Sequence, residues 1–116
     1  MRRVVLAALV VAAVSGCSSS SNNTSDPVSA CKSAINAVCT KLFNCYPSEA
    51  AQVYTNVGTC ETTLSATGCT TANTTCPTGK TYNSSNASQC ITDYSNQSCT
   101  DVGNGTVPTS CNNICT

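Results

Sequence analysis

Residues 26–46 read DPVSACKSAINAVCTKLFNCY and contain the clearest helical pattern of the chain. Asp26 is suited to cap a helix because its carboxylate accepts from free backbone N–H groups, and Pro27 fits the first turn, where its missing N–H costs nothing. Apolar and cysteine positions then recur at intervals of three and four, which predicts one stripe of an amphipathic helix. The stripe consists of Cys31, Ala34, Ile35, Val38, Cys39, Leu42, Cys45 and Tyr46. Pro47 is expected to end the helix, and its buried face should also form cross-links.

Large apolar side chains are scarce in the rest of the chain. From Cys31 to Thr116, only eleven of 86 residues are Ile, Leu, Val or Phe, which is very few for a core. Disulfides offset this deficit, since each bond restricts the unfolded chain and typically contributes about 2 to 4 kcal/mol. We therefore expect a small, disulfide-rich all-α domain over residues 26–116, with three to four short helices, long irregular loops and about five disulfides. The cysteines predicted to form them are Cys31, Cys39, Cys45, Cys60, Cys69, Cys76, Cys90, Cys99, Cys111 and Cys115.

Two helices are predicted directly after the first. One covers residues 48–57 with Ser48 as its cap, and the next covers residues 59–68 with Thr59 as its cap. A single bent helix across both segments is the alternative, because Gly58 is a weak interruption.

The last third of the chain is predicted to be mostly irregular. Residues 69–85 and 101–110 are rich in Thr, Ser, Asn, Gly and Pro, which favours loops. Between them, Asn86 and Gln89 have capping-box spacing and predict a helix that ends near Cys99. Residues 111–115 are expected to close the chain as a clamp or a single turn.

The predicted helices suggest a disulfide pairing. If the first helix and the segment containing Cys60 and Cys69 pack as an antiparallel hairpin, Cys45 should lie near Cys60, and Cys39 near Cys69. Proximity along the chain supplies Cys76–Cys90 and Cys99–Cys111, which leaves Cys31 for Cys115. The full prediction is Cys45–Cys60, Cys39–Cys69, Cys76–Cys90, Cys99–Cys111 and Cys31–Cys115.

The N-terminus has the pattern of an export signal over residues 1–16. Positive charges at Arg2 and Arg3 precede an apolar run over 4–14, which is too short to cross a bilayer. Ser15, Gly16 and Cys17 then resemble the bacterial lipobox. That resemblance implies cleavage before Cys17 and attachment of lipid to its sulfur, with an ordinary secretory signal as the alternative. The chain has eleven cysteines, so a thioether at Cys17 would leave an even ten.

The lipobox resemblance also implies a location. Several acyl chains on Cys17 would give stable membrane anchoring, and the polar tract over residues 17–25 would act as a tether spanning about 15 to 20 Å. In Gram-negative lipoproteins an Asp after the lipidated Cys tends to retain the protein at the inner membrane. Ser18 stands at that position, so the resemblance implies the outer membrane of a bacterial cell envelope.

The spacing of the cysteines resembles that of small cysteine-rich lipoproteins of delta-proteobacteria. Cys31, Cys39 and Cys45 on a first helix, cysteines flanking two further helices, and Cys111 after Pro108 carry the resemblance over nearly the whole chain. It implies an exported helical disulfide domain. It implies no activity.

Composition narrows the possible functions. The chain has no His and no Trp, so a His-based site is not expected. Beyond the predicted signal it contains three Lys and five acidic residues, and this negative balance argues against nucleic-acid binding. No catalytic residue, metal ligand or cofactor is predicted. Cys111 and Cys115 as half of a zinc site are the alternative to disulfides.

Two functional hypotheses remain after these exclusions. The first is a non-enzymatic contact module that binds another cell-envelope protein or a glycan. The second is a small hydrolase, or an enzyme inhibitor, that uses carboxylates on the disulfide frame. The candidate carboxylates are Asp26, Glu49, Glu61, Asp93 and Asp101.

Overall fold

The computed structural model describes residues 23–116. The predicted signal peptide, Cys17 and the first part of the predicted tether lie outside the described residues. Within them the fold is all-α, which confirms the predicted class, and it has six α-helices rather than three to four, because two short ones lie in stretches predicted as loop. The elements are α1 Pro27–Cys45, α2 Pro47–Val53, α3 Val57–Gly68, α4 Thr71–Thr74, α5 Ser84–Ser95, α6 Cys99–Gly103 and a 3₁₀ helix Thr109–Asn113.

The first helix begins as predicted. Asp26 caps α1 and accepts hydrogen bonds from the Ser29 backbone N–H at 2.9 Å and from the Ser29 hydroxyl at 2.7 Å. Its end differs from the prediction in one respect: Pro47 does not only stop α1 but opens α2, with Tyr46 as the one residue between them. A proline can do both, because its ring excludes it from a helix interior and suits it to a first turn.

The boundary between α2 and α3 falls earlier than predicted. Tyr54 has an extended backbone, so two separate helices are present and the single bent helix is wrong. Ser48 does not cap α2 but lies inside it, and Thr59 does not cap α3. Asn56 has that role, with its side chain accepting from the Thr59 backbone N–H at 2.9 Å. Asn is among the strongest capping residues.

The cap of α5 was also predicted at the wrong residue. Asn83 accepts from the Asn86 backbone N–H at 3.0 Å, so the cap lies three residues before the predicted one. Gln89 does not reach back to the helix start but donates to Asp93 at 2.7 Å, one turn further along. The helix ends at Ser95 and not near Cys99.

Five disulfides join the ten cysteines predicted to form them. The bonds are Cys31–Cys69, Cys39–Cys60, Cys45–Cys99, Cys76–Cys115 and Cys90–Cys111. All five predicted pairings are therefore wrong, although the antiparallel hairpin of α1 and α3 is confirmed, since the start of α1 is bonded to the end of α3. The register differs because α2 intervenes after α1, so Cys60 meets the middle of α1 at Cys39. Cys45 is left to bond with Cys99.

The core of the described chain is built from small residues and sulfur. Nine apolar residues between 23 and 116 are buried, and they are four alanines, four cysteines and Ile91. Helix α1 lies at the centre and contacts α2, α3, α4, α5 and α6. The disulfides therefore are the core of this domain as well as its cross-links, as the low count of large apolar residues suggested.

The end of the predicted tether contacts the domain. The carbonyl of Thr24 accepts from the Tyr82 hydroxyl at 2.8 Å, and the carbonyl of Asn23 accepts from the buried Ser33 hydroxyl at 3.1 Å. Residues predicted to be a free linker thus pack against α1 and the strand-like segment at Tyr82, which pairs with Cys115.

Candidate functional site

The five acidic side chains are separated by the fold rather than brought together. Asp26 caps α1, Glu61 accepts from the Asn36 amide across the α1–α3 interface, and Asp101 accepts from the Ser98 hydroxyl at 2.8 Å. Asp93 accepts from the hydroxyl of Ser110 and the amide of Gln89, and Glu49 is exposed on α2. Four of the five carboxylates therefore have a local structural partner.

Two of these carboxyl groups have altered acidity. Hydrogen bonds from the backbone and hydroxyl of Ser29 lower the pKa of Asp26. The hydroxyl of Ser110, followed by the amide of Gln89, lowers the pKa of Asp93. A general acid of a glycosidase needs a raised pKa, so both shifts run against that role.

An open groove with charged and hydroxyl side chains lies along α3 and is bordered by α1. It has a volume of about 660 Å³ and contains charges of both signs, Lys32 on α1 and Glu61 on α3. Hydroxyl groups of Thr62, Ser65 and Thr70 lie along it, and Cys69 forms part of its floor. The Cys31–Cys69 bond crosses between the two helices here, so the width of the groove is fixed covalently.

A second, more enclosed space lies on the other side of α1. This apolar cavity has a volume of about 230 Å³ and lies between α1, α4, α5 and the end of the chain. Its wall is formed mainly by Ala30, Ala34, Ala87, Ile91 and Ile114. Alanines of both α1 and α5 line the cavity, and their short side chains leave space between the two helices unfilled.

The polar side chains at the cavity each donate a hydrogen bond within the protein. The hydroxyl of Thr74 donates to the Thr70 carbonyl at 2.9 Å, and that of Thr75 donates to the Thr71 carbonyl at 2.6 Å. The amide of Asn73 donates to the Thr67 carbonyl at 2.8 Å, and Tyr82 donates to the Thr24 carbonyl. Burial, and then the charge of Asp26, raise the pKa of Tyr82. The cavity lining therefore offers an occupant mainly apolar contacts.

The sequence placed Ala34 on the buried stripe of α1 and predicted a helix from Asn86 that contains Ala87 and Ile91, but it did not predict a cavity. The signal was the small size of those residues, and its use requires knowing that α1 and α5 are neighbours. That adjacency depends on long-range packing.

Residues 23–116 contain neither a metal-binding cluster nor a membrane-spanning helix. No group of three or more Cys, Asp or Glu side chains in this range is arranged to hold a metal ion. Cys111 and Cys115, the alternative zinc half-site, are bonded to Cys90 and Cys76. None of the described helices is long and apolar enough to span a bilayer.

Comparison with known proteins gives no relative: no family model, no curated protein and no solved structure matches the chain.

Proposed function

We propose that this chain is an exported, lipid-anchored protein of the bacterial cell envelope that acts by non-enzymatic contact with a polar partner, another envelope protein or a glycan. The observation that carries the proposal is the covalently fixed polar groove between α1 and α3. Five disulfides in a small domain fit an oxidising compartment outside the cytoplasm, where such bonds persist. The lipobox resemblance at Cys17 supplies the anchor.

The groove has the chemistry of a contact surface for polar groups. Lys32 and Glu61 offer a donor cation and an acceptor anion on opposite walls, and the hydroxyl of Ser65 can both donate and accept. The hydroxyl of Thr62 donates to the Gly58 carbonyl and can still accept, and that of Thr70 accepts from the Asn73 N–H and can still donate. Because the Cys31–Cys69 bond fixes the walls, a partner would not have to order them on binding, which reduces the cost of association.

The competing proposal of a carboxylate-based hydrolase has less support. Four of the candidate carboxylates already act as a cap or as acceptors for a neighbouring side chain. The lowered pKa values of Asp26 and Asp93 favour ionised, structural carboxylates over a protonated acid.

The anchor is tested with Cys17→Ser. The variant should lose the lipid attachment site, so the protein should move from the detergent phase to the aqueous phase on phase separation, or accumulate as uncleaved precursor. Cys17→Ser protein that remains in the detergent phase at its native size would show that the lipid anchor is wrong.

The contact surface is tested with neighbouring threonines of α3. Thr62 lines the groove, whereas Thr63 is exposed on the same helix outside it, so Thr62→Arg and Thr63→Arg add the same bulk and charge at two places. On intact cells, photo-cross-linking from Ser65 should capture a partner in the native protein and in Thr63→Arg, and lose most of it in Thr62→Arg. Equal capture by both variants would remove the groove from the proposal.

A further inference from the structure

The enclosed cavity beside α1 is large for a domain with so few large apolar side chains. Its volume is about 230 Å³, whereas an engineered apolar cavity of about 150 Å³ is enough to hold benzene. Space of this size lined by alanine and isoleucine admits one aromatic ring with a short alkyl group, or a short alkyl chain. From this geometry we infer that the cavity is a binding site for a small neutral molecule with an apolar body.

Each element around the cavity is braced by a disulfide to a neighbouring segment. Cys31, Cys90 and Cys115 all line it, and their bonds join α1 to Cys69, α5 to Cys111 and the chain end to Cys76. Filling the space by a shift of one helix, which is how an ordinary cavity between alanines is reduced, would therefore have to move its bonded partner as well. A cavity that persists without its occupant is preformed for binding.

The polarity of the lining selects an apolar occupant. Asn73, Thr74, Thr75 and Tyr82 are the polar side chains at the cavity, and each already donates a hydrogen bond within the protein. A ligand that carries several hydrogen-bond acceptors would leave most of them unpaired on entry, and each unpaired group costs binding free energy. A hydrocarbon ligand has no hydrogen bonds to lose when it enters the same space.

Charge at the cavity wall disfavours an anion. Asp26 directly precedes Pro27, which lines the cavity together with Tyr82, and the charge of Asp26 contributes to the raised pKa of Tyr82. A carboxylate on the ligand would be placed near this like charge, whose effect is larger beside a partly buried site than in water. The ligand is therefore neutral rather than a fatty-acid-like anion.

This inference is independent of the contact proposal. The cavity and the groove lie on different sides of α1, and they contain the two different ends of one disulfide, Cys31 in the cavity and Cys69 in the groove. Either site can fail its test without affecting the other.

The test uses n-butylbenzene as the probe and the oxidised full chain carrying Cys17→Ser, so that no attached lipid competes for the probe. Methyl NMR signals of Ala30, Ala87 and Ile91 should shift in a saturable way as the probe is added. The anionic analogue 4-butylbenzoate should bind at least about tenfold more weakly at pH 7. Absence of a saturable shift, shifts confined to methyls outside the cavity, or equal affinity for the two probes would overturn the inference.

Matched alanine variants locate the binding. Ala34→Leu places a larger side chain in the cavity and should weaken n-butylbenzene binding at least about tenfold, whereas Ala51→Leu makes the same change at an exposed position of α2 and should leave it unchanged. If Ala34→Leu does not form the native disulfides, Ala34→Met can be used instead, because its flexible side chain fills the cavity with less strain. Unchanged affinity in the folded Ala34 variant would show that the probe binds elsewhere.

Discussion

Residues 23–69 and residues 70–116 are closed by the same covalent arrangement but filled differently. In the N-terminal half the Cys39–Cys60 bond lies inside the loop closed by Cys31–Cys69, with sequence separations of 21 and 38. In the C-terminal half Cys90–Cys111 lies inside Cys76–Cys115, with separations of 21 and 39. Each half thus contains one disulfide loop inside another, and the corresponding loops of the two halves are nearly equal in length.

The contents of the two halves differ. The N-terminal bonds join helices α1 and α3, and six of the nine buried apolar residues lie in this half. The C-terminal bonds join α5 and a loop to the 3₁₀ helix and the chain end, and only the apolar residues Ala87, Cys90 and Ile91 are buried there. The comparison teaches that the same covalent closure can hold a segment with half as many buried apolar residues. In the N-terminal half, side-chain burial stabilises the fold in addition to the disulfides.

A single disulfide joins the halves among the described residues, Cys45–Cys99, at the end of α1. The hydroxyl of Tyr46 donates to the Cys99 carbonyl at 2.6 Å beside it. At the other end of α1 the halves meet through the Tyr82 to Thr24 hydrogen bond and the cavity wall. The two halves are therefore joined covalently at one end of α1 only.

The two inner disulfides provide the largest test of this comparison. Both close loops with a separation of 21, so by chain entropy alone each is worth about 3 kcal/mol. Cys39 and Cys60 are both fully buried, whereas Cys111 is half-buried. Replacing Cys39 and Cys60 together by Ala should therefore cost about 1 kcal/mol more than replacing Cys90 and Cys111 together, because it also leaves unfilled volume.

Urea unfolding of the two double variants measures this difference directly. Equal losses of unfolding free energy would mean that packing around Cys39 and Cys60 adds nothing to the covalent term. A larger loss in the C-terminal half would reverse the comparison, and would show that slight packing makes the disulfide more necessary.

The pairing of these bonds was not predictable from local sequence, although α1 was. Asp26, Pro27 and the three-four spacing act within a few residues of one another, so they specify a helix before any long-range contact forms. The partner of Cys39 depends on the register in which α3 packs against α1. That register changes when residues 47–56 form a separate helix and an extended link.

The candidate sites were missed for a related reason. The groove and the cavity are spaces between elements, and Ala34 or Thr62 reads as an ordinary helix residue until its neighbour is known. The acidic residues were identified as candidates because their chemistry is visible in the sequence. Their hydrogen-bond partners, such as Ser110 for Asp93, are visible only in the fold.

Two glycines at corresponding places sharpen the comparison further. Gly68 is the last residue of α3 and Gly103 the last residue of α6. A Cβ at Gly68 would lie 3.8 Å from the end of Ile35, an ordinary contact, whereas a Cβ at Gly103 would lie 2.5 Å from the Tyr46 hydroxyl. Gly68→Ala should be neutral or stabilise by up to about 1 kcal/mol, because alanine loses less backbone entropy on folding.

Gly103→Ala should instead destabilise by about 1 to 2 kcal/mol, since Tyr46 must move and give up its bond to the Cys99 carbonyl. Thermal unfolding of both variants gives the sign of each change. The same cost for both, or a Gly103→Ala variant as stable as the native protein, would mean that the Tyr46 contact does not constrain the junction of the halves.

The smallest expected effect is the response of each half to acid. Asp26 caps α1 in the N-terminal half, and Asp93 connects α5 to Ser110 in the other. Both pKa values are lowered in the fold from an ordinary 3.8. A lowered folded pKa means that the stabilisation is present above the unfolded pKa and is lost as the pH falls through the folded one, so the loss begins near pH 4.

Asp26→Asn should retain most of its stability at neutral pH, because Asn is an equally good cap. Asp93→Asn should be less stable there, because one amide oxygen replaces two carboxylate oxygens that accept from Gln89 and Ser110. Both variants should lose less stability than the native protein between pH 4 and pH 2, as measured by urea unfolding. If Asp93→Asn keeps the full acid dependence, the contact with Ser110 does not contribute to holding the C-terminal half together.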